Sequence, residues 1–301
     1  MWAVMDIGTN SCRLLLAEQS GADRKIKKMQ MFLRTTRIGE GMSSEDRSIR
    51  QAALNRTMAA LTEFHMIIKE SPAANVILVA TQALREANNS DVLVVRIKKE
   101  LGWDLEILSG EAEARLSYLG AVAGFAQETP VLVVDIGGGS TELAWKEKNG
   151  DFQAVSIPLG ALRLFESPKT DRQIIDILQQ ALTNVRNPEE LRAKAGYFLI
   201  GVGGTCTTTA AVALNMNTYN SELIQGYRLT AETIVDQYRL LKNLESHERL
   251  KIAGIQRGRE DIIIPGLQIL IAMMHVLEQK SITISDQDLL YGLILSADYR
   301  C

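Results

Sequence analysis

Along the first part of the chain the hydrophobic residues come in short runs separated by polar, turn-rich intervals. Residues 2–5, 13–18 and 26–33 predict three strands joined by tight turns. Ser43, Ser44, Glu45 and Asp46 then supply a helix start, with Asp46 three residues after Ser43 as in a capping box. Leu54, Met58, Leu61, His65 and Ile68 recur at helical spacing behind it and predict one long helix ending near Glu70. Residues 75–80 form a short apolar run of the kind found in buried parallel strands. A helix over 91–101, a strand over 104–108 and a helix from Gly110 follow.

The second half opens with a strand over 131–135 that runs into Gly137, Gly138 and Gly139. Strands over 142–147 and 152–157 come next, then a helix over 171–187 and a buried strand over 197–202 that ends in Gly203, Gly204 and Thr205. A helix over 205–214 continues from that turn, and the remainder reads as helical apart from a strand over 281–285.

An internal repeat organises these elements. Asp6, Ile7, Gly8 and Ser11, then Leu14, match Asp135, Ile136, Gly137 and Ser140, then Leu143, at a constant offset of 129 residues (135 − 6). Both copies follow one apolar strand and precede another. The pattern implies two like α/β domains, each presenting a strand, an Asp–Gly–Ser turn and a second strand. The boundary falls between about residues 116 and 125, dividing the chain into 1–118 and 119–301.

Composition narrows what such domains could do. Hydrophobic residues make up 46% and charged residues 23% of the 301, the balance of a soluble globular protein. A net charge of -3 and an aromatic content of 5% point away from nucleic acid and anionic membrane as partners, so a polyanionic substrate would need a local basic patch. Cys12, Cys206 and Cys301 have no CxxC spacing, and His65, His247 and His275 are scattered and read as structural. That argues against a zinc site or disulfide framework and suits a reducing cytoplasm. The first motif begins at Asp6, which leaves no room for a signal peptide. The longest apolar stretch, 262–277, contains Pro265, Gln268 and His275 and reads as a buried helix rather than a membrane span.

A strand ending in Asp and turning through Gly and Ser sets a carboxylate beside a row of backbone N–H groups, which can form an anion-binding nest. Carboxylate and phosphate repel unless a cation lies between them, so the pattern implies a metal–phosphate site with magnesium as the fitting ion. Glu142, seven residues beyond Asp135, could help hold it. The plainer reading is that Asp6 and Asp135 cap their turns, and the two copies in register favour the functional one. The 201–205 turn can aim a helix N-terminus at phosphate, or can merely solve a packing problem. Arg34, Arg37 and Arg85 fall in loops after strands, where α/β proteins bind ligands and where guanidinium suits phosphate. In Ser109–Arg115, the acidic first turn and the Glu111–Arg115 spacing are explained by helix electrostatics alone.

Taken together, MDIGTNSCRLLL (5–16), RTTRIGEGM (34–42), ATQALREANN (80–89), ILSGEAEARLSYLG (107–120), VVDIGGGSTEL (133–143) and GVGGTCTT (201–208) resemble the exopolyphosphatase and guanosine pentaphosphate phosphatase family. That family lies within the actin-like ATPase and sugar kinase superfamily. The resemblance runs the length of the chain. It implies two ribonuclease-H-like, actin-like domains around a central cleft, and release of terminal orthophosphate from polyphosphate or guanosine pentaphosphate. It also implies Glu113 as the catalytic group acting on water, and Asp135, Glu142 and Asp6 as holders of magnesium. Asn10, Ser11, Arg85, Gly137, Gly138, Gly139 and Ser140 would contact phosphate, and the protein would be a homodimer. Family members often carry two adjacent glutamates where this chain has Ala112 and Glu113. A sensor that binds guanosine tetra- or pentaphosphate without cutting it is the alternative, and a sugar or acetate kinase ranks below that.

Overall fold

The computed structural model describes residues 1–20, 25–42, 45–125, 130–147, 149–183, 185, 191 and 197–297. It begins with β1 (Trp2–Ile7), β2 (Ser11–Gln19), β3 (Ile26–Thr35), α1 (Gln51–Lys69), β4 (Asn75–Ala80), α2 (Gln82–Glu86), α3 (Ser90–Leu101), β5 (Glu106–Ile107) and α4 (Gly110–Ala123). A second series follows: β6 (Val131–Ile136), β7 (Thr141–Lys146), β8 (Phe152–Ile157), α5 (Ala161–Glu166), α6 (Asp171–Thr183), β9 (Phe198–Val202) and α7 (Gly203–Ala213). The chain continues through α8 (Ser221–Ile224), β10 (Arg228–Thr230), α9 (Ala231–Lys242), α10 (Ser246–Arg249), α11 (Ile263–Val276), β11 (Ser281–Ile284) and α12 (Leu289–Ala297).

The expected α/β architecture is present as two sheets with matching cores of topology. Their strand orders are β3-β2-β1-β4-β5 and β10-β11-β9-β6-β7-β8. In each, the first strand of the repeat pairs antiparallel with its hairpin mate and parallel with a strand reached by a helical crossover. The registers repeat as well. Asp6 lies opposite Arg13 in the first hairpin, and Asp135 lies opposite Glu142 in the second.

Period-two side-chain alternation gives each sheet two buried faces. In β1, Ala3, Met5 and Ile7 pack with α1 and α3, whereas Val4 joins Leu15, Val79 and the α12 residues Leu290, Leu293 and Ile294. In β6, Leu132, Val134 and Ile136 face α6, α7 and α11, whereas Val131 and Val133 face Ala114, Tyr118, Ala121 and Val122 of α4. The last described helix therefore does not stay with the sheet that precedes it in sequence. It returns to cover the first sheet and crosses α4, where the backbones nearly touch. A methyl on Gly292 would stand 1.9 Å from the Leu116 carbonyl oxygen, and one on Gly120 would stand 2.0 Å from that of Asp288.

The long helix of the first half starts later than the sequence suggests. Ser43 and Ser44 lie outside the described residues, and α1 begins at Gln51. The side-chain amide of Asn89 accounts for the delay. Its Oδ1 accepts from Ile49 N at 2.8 Å and its Nδ2 donates to Ile49 O at 3.1 Å, occupying both backbone groups that a helix would need. Among the described residues, no helix is long and apolar enough to cross a membrane.

Candidate active site

The two Asp–Gly–Ser turns meet face to face between the sheets. Each is closed by the same bond, Gly8 N to Ser11 O at 3.0 Å and Gly137 N to Ser140 O at 2.9 Å. The meeting requires bare backbone. A methyl on Gly138 would come 3.1 Å from Asn10 N, and one on Gly139 would come 2.6 Å from Thr9 Oγ1. Helix α5 fixes which side of the second turn is free. Its Ala161 and Leu162 N–H groups donate to the Gly137 and Gly138 carbonyls at 2.9 and 2.8 Å. Those oxygens are thereby drawn away, and among the described residues no backbone acceptor takes the N–H groups of Gly138 or Gly139.

The turns bound a cavity of about 90 Å³. Asp6, Asn10, Ser11, Glu113, Asp135, Gly137, Gly138, Gly139 and Ser140 all line it, so most of the sequence-derived set comes together there. Arg85 and Glu142 stand just behind the wall. Arg85 donates from Nη1 to Glu113 Oε2 at 3.0 Å and to Leu108 O at 2.7 Å, and also bonds Gln82. Arg34 and Arg37 lie elsewhere, paired with Glu63 and with Asp261. His65 packs edge-on against Trp103. Gly203, Gly204 and Thr205 of the 201–205 turn join the lining at the start of α7, together with Arg13, Thr81, Gln82 and Arg259, which were not singled out in the sequence. Arg13 was legible in principle, because it occupies the same repeat position as Glu142. Arg259 sits in a loop without periodicity and gave no signal.

That shared position divides the labour between the hairpins. In the first, Arg13 Nη2 pairs with Asp6 Oδ2 at 2.9 Å and Nη1 pairs with Asp288, so the carboxylates have a resident cation. Asp6 Oδ1 remains buried without a hydrogen-bond partner. Burial raises the Asp6 pKa even against Arg13. In the second hairpin the cross-strand neighbours are both acids. Ser117 Oγ donates to Asp135 Oδ2 at 2.7 Å, and Ser156 Oγ donates to Glu142 Oε1 at 2.7 Å. Burial, then the charge of Asp288, pushes Asp135 up to about 6, and burial, then Asp135, pushes Glu142 up to about 7. Burial and the charge of Glu142 raise Glu113 well above the usual carboxylate range.

An all-oxygen acidic cluster with raised pKa values fits a hard divalent cation. Among the described residues no group of three or more His, Cys, Asp or Glu side chains is arranged to hold a metal ion by itself.

Opposite the acids, α7 starts with Gly203 at φ +80°, no side-chain cap and no acid in its first turn, so its N–H groups remain available to an anion. Arg259 lies against Gly204 and makes no ion pair with any described residue. Burial, then repulsion from Arg13, lowers its pKa to about 10, which leaves it cationic at neutral pH. The cavity continues past Arg13, Gly203, Gly204 and Arg259 into a space of about 750 Å³.

A stability test follows from the acids. A carboxylate whose pKa is higher folded than unfolded favours the fold when protonated. That contribution is full below its unfolded pKa and is lost as pH rises through the folded values of about 6 and about 7. The metal-free protein is expected to lose Tm between about pH 5 and pH 8, and magnesium to restore it at the upper end. Differential scanning calorimetry reads both, and a metal-free Tm that stays level or rises over that window contradicts the assignment.

Comparison with known proteins identifies relatives of the whole chain. The chain is 31% identical to the bifunctional 3-dehydroquinate synthase/phosphatase of Fusobacterium nucleatum subsp. nucleatum, over 97% of its own length but only 46% of that protein's. It is 30% identical to exopolyphosphatase 2 of Mycobacterium tuberculosis, covering 98% of this chain and 97% of the relative. The crystal structure of an exopolyphosphatase-like protein superposes with a TM-score of 0.88 at 29% identity, covering 99% of this chain and 98% of that one. The sequence profile described as the Ppx/GppA phosphatase family matches residues 17–299, and the chain belongs to that family.

Proposed function

We infer that this protein is a magnesium-dependent phosphohydrolase that releases the terminal orthophosphate of polyphosphate or guanosine pentaphosphate. The observation that carries the reading is one wall bearing the acids Glu113 and Asp135, with Glu142 just behind it, facing another of backbone N–H groups and Arg259. The terminal phosphoryl group enters between the turns. Its oxygens accept from the Gly138, Gly139 and Ser140 backbone, from Asn10 and Ser11, and from Arg259. Asp135 and Glu142, with Asp6 nearby, would hold magnesium, which when bound neutralises phosphate oxygens and carries ordered water.

Glu113 does the proton work. Arg85 holds its Oε2, which orients the carboxylate, and its raised pKa makes it a stronger base. As a water oxygen bonds to phosphorus and the bridging P–O bond breaks, Glu113 takes the water proton and the shortened chain departs with the bridging oxygen. The transition state is loose, so positioning and charge neutralisation supply most of the acceleration.

Orthophosphate release with magnesium from short polyphosphate, long polyphosphate and guanosine pentaphosphate tests this reading. Tight binding without release from any of them would replace it with the sensor. Arg259→Ala is expected to lower kcat/KM about 10–100-fold, mainly through KM, because a charge-assisted phosphate contact is worth roughly 1.5–3 kcal/mol. An unchanged KM would remove Arg259 from the binding set. The buried free thiols Cys12 and Cys206 are compatible with a cytoplasmic location. A homodimer is part of the same reading, and sedimentation velocity at two concentrations separates it from a monomer.

A further inference from the structure

The carboxylates of the second hairpin each accept from a serine hydroxyl of another element, Glu142 accepting from Ser140 of its own turn as well, and the two serines from other elements are not equivalent. Ser117 of α4 is buried and donates to Asp135. Ser156 of β8 sits directly opposite Glu142 in the strand register and also meets the first residue of α4. A methyl on Gly110 would stand 2.6 Å from Ser156 Cβ and 2.9 Å from its Oγ, so α4 begins in van der Waals contact with this one side chain. Three residues along the same helix comes Glu113.

Two carboxylates of like charge, on separate elements, repel one another and drift apart unless something rigid sets their spacing. Ser156 touches both supports. Its hydroxyl donates to Glu142 Oε1 at 2.7 Å, and glycine at position 110 allows the helix to seat against it without an intervening side chain.

The geometry points to Ser156 as a positioning residue that orients Glu142 by its hydroxyl and fixes, through Gly110, where the helix bearing Glu113 begins. This rests on Glu142 as a magnesium holder and Glu113 as the base, and it adds a single residue that sets one against the other. A merely structural serine would satisfy a buried oxygen and do nothing more.

The two contacts separate by mutation. Ser156→Ala removes the bond to Glu142 and keeps the Cβ that Gly110 meets. It is expected to weaken Mn²⁺ binding, read by paramagnetic resonance with inorganic phosphate present, about 10–100-fold, and to raise the magnesium needed for half-maximal activity to match. Gly110→Ala keeps the serine and sets a methyl against its Cβ and Oγ, so α4 must move away from the strand that carries Ser156. It is expected to lower kcat about tenfold or more with Mn²⁺ affinity held within about threefold. A lower Tm for Ser156→Ala with Mn²⁺ affinity and kcat unchanged overturns the proposal. If that variant does not fold, an unchanged kcat in Gly110→Ala overturns it instead. Failure of the underlying reading looks different, because the wild-type protein itself would then neither bind Mn²⁺ nor release phosphate.

Discussion

Glu113→Gln is expected to lower kcat for orthophosphate release by about 10²–10⁴-fold, the range that a positioned general base contributes. The substitution keeps the size and leaves the phosphate-facing N–H groups and Arg259 in place, so KM should move by no more than a few-fold. Arg85 loses its ionic partner but retains Leu108 O and Gln82. The metal-free variant should also be at least as stable as the parent. The carboxylate it removes is 8% exposed, and its pKa is raised by burial and by Glu142, so ionising it works against the fold. Initial-rate kinetics and a thermal melt on the same preparation check both halves. Activity within tenfold of the parent would remove Glu113 from the proton-transfer step.

The second large effect concerns stability. Gly292→Ala introduces a methyl 1.9 Å from the Leu116 carbonyl oxygen and 2.6 Å from its carbon. Both are backbone atoms of α4, so no side chain can rotate away, and the two helices must separate. Overpacking of this kind costs about 1–3 kcal/mol and sometimes more, which for a chain of this size is a Tm drop of several degrees. Gly120→Ala, 2.0 Å from the Asp288 carbonyl, should behave alike and should also disturb activity, because Asp288 is one of the two acids that hold Arg13. A Gly292→Ala melt that matches the parent would mean that the crossing yields more easily than its backbone contacts imply.

Much of this fold is legible in the chain itself, for reasons that differ by element. The runs at 77–80 and 131–134 announce themselves because strand residues buried on both faces are apolar without a break. The two hairpins announce themselves because the repeat keeps register through Asp6, Ser11 and Leu14. The start of α1 was hidden, because the residue that holds Ile49 extended is Asn89, forty positions away and on the far side of β4. The same applies to the candidate site. Local motifs disclose the turns, but the pairing of Arg13 with Asp288 and the approach of Arg259 to Gly204 are long-range products of closure. Glu113 is an intermediate case. Its helix start is legible, with Ser109 Oγ accepting from Ala112 N at 3.1 Å, yet its burial beside Glu142 and Arg85 appears only in three dimensions.

The return of α12 to the first sheet has a consequence for biosynthesis. Leu289, Leu290, Leu293 and Ile294 are all buried against a face that Val4, Leu15 and Val79 build in the first eighty residues. At about 5–20 residues per second, a ribosome needs on the order of 10–30 s to travel from α4 to α12. Throughout that interval the nascent first sheet presents one uncovered apolar face. The early half therefore cannot mature as an autonomous unit while the rest is being made. A chaperone that shields hydrophobic surface has its longest opportunity on this protein before α12 emerges, and the emergence of α12, rather than the completion of the first sheet, sets the moment at which the native packing of that face becomes reachable.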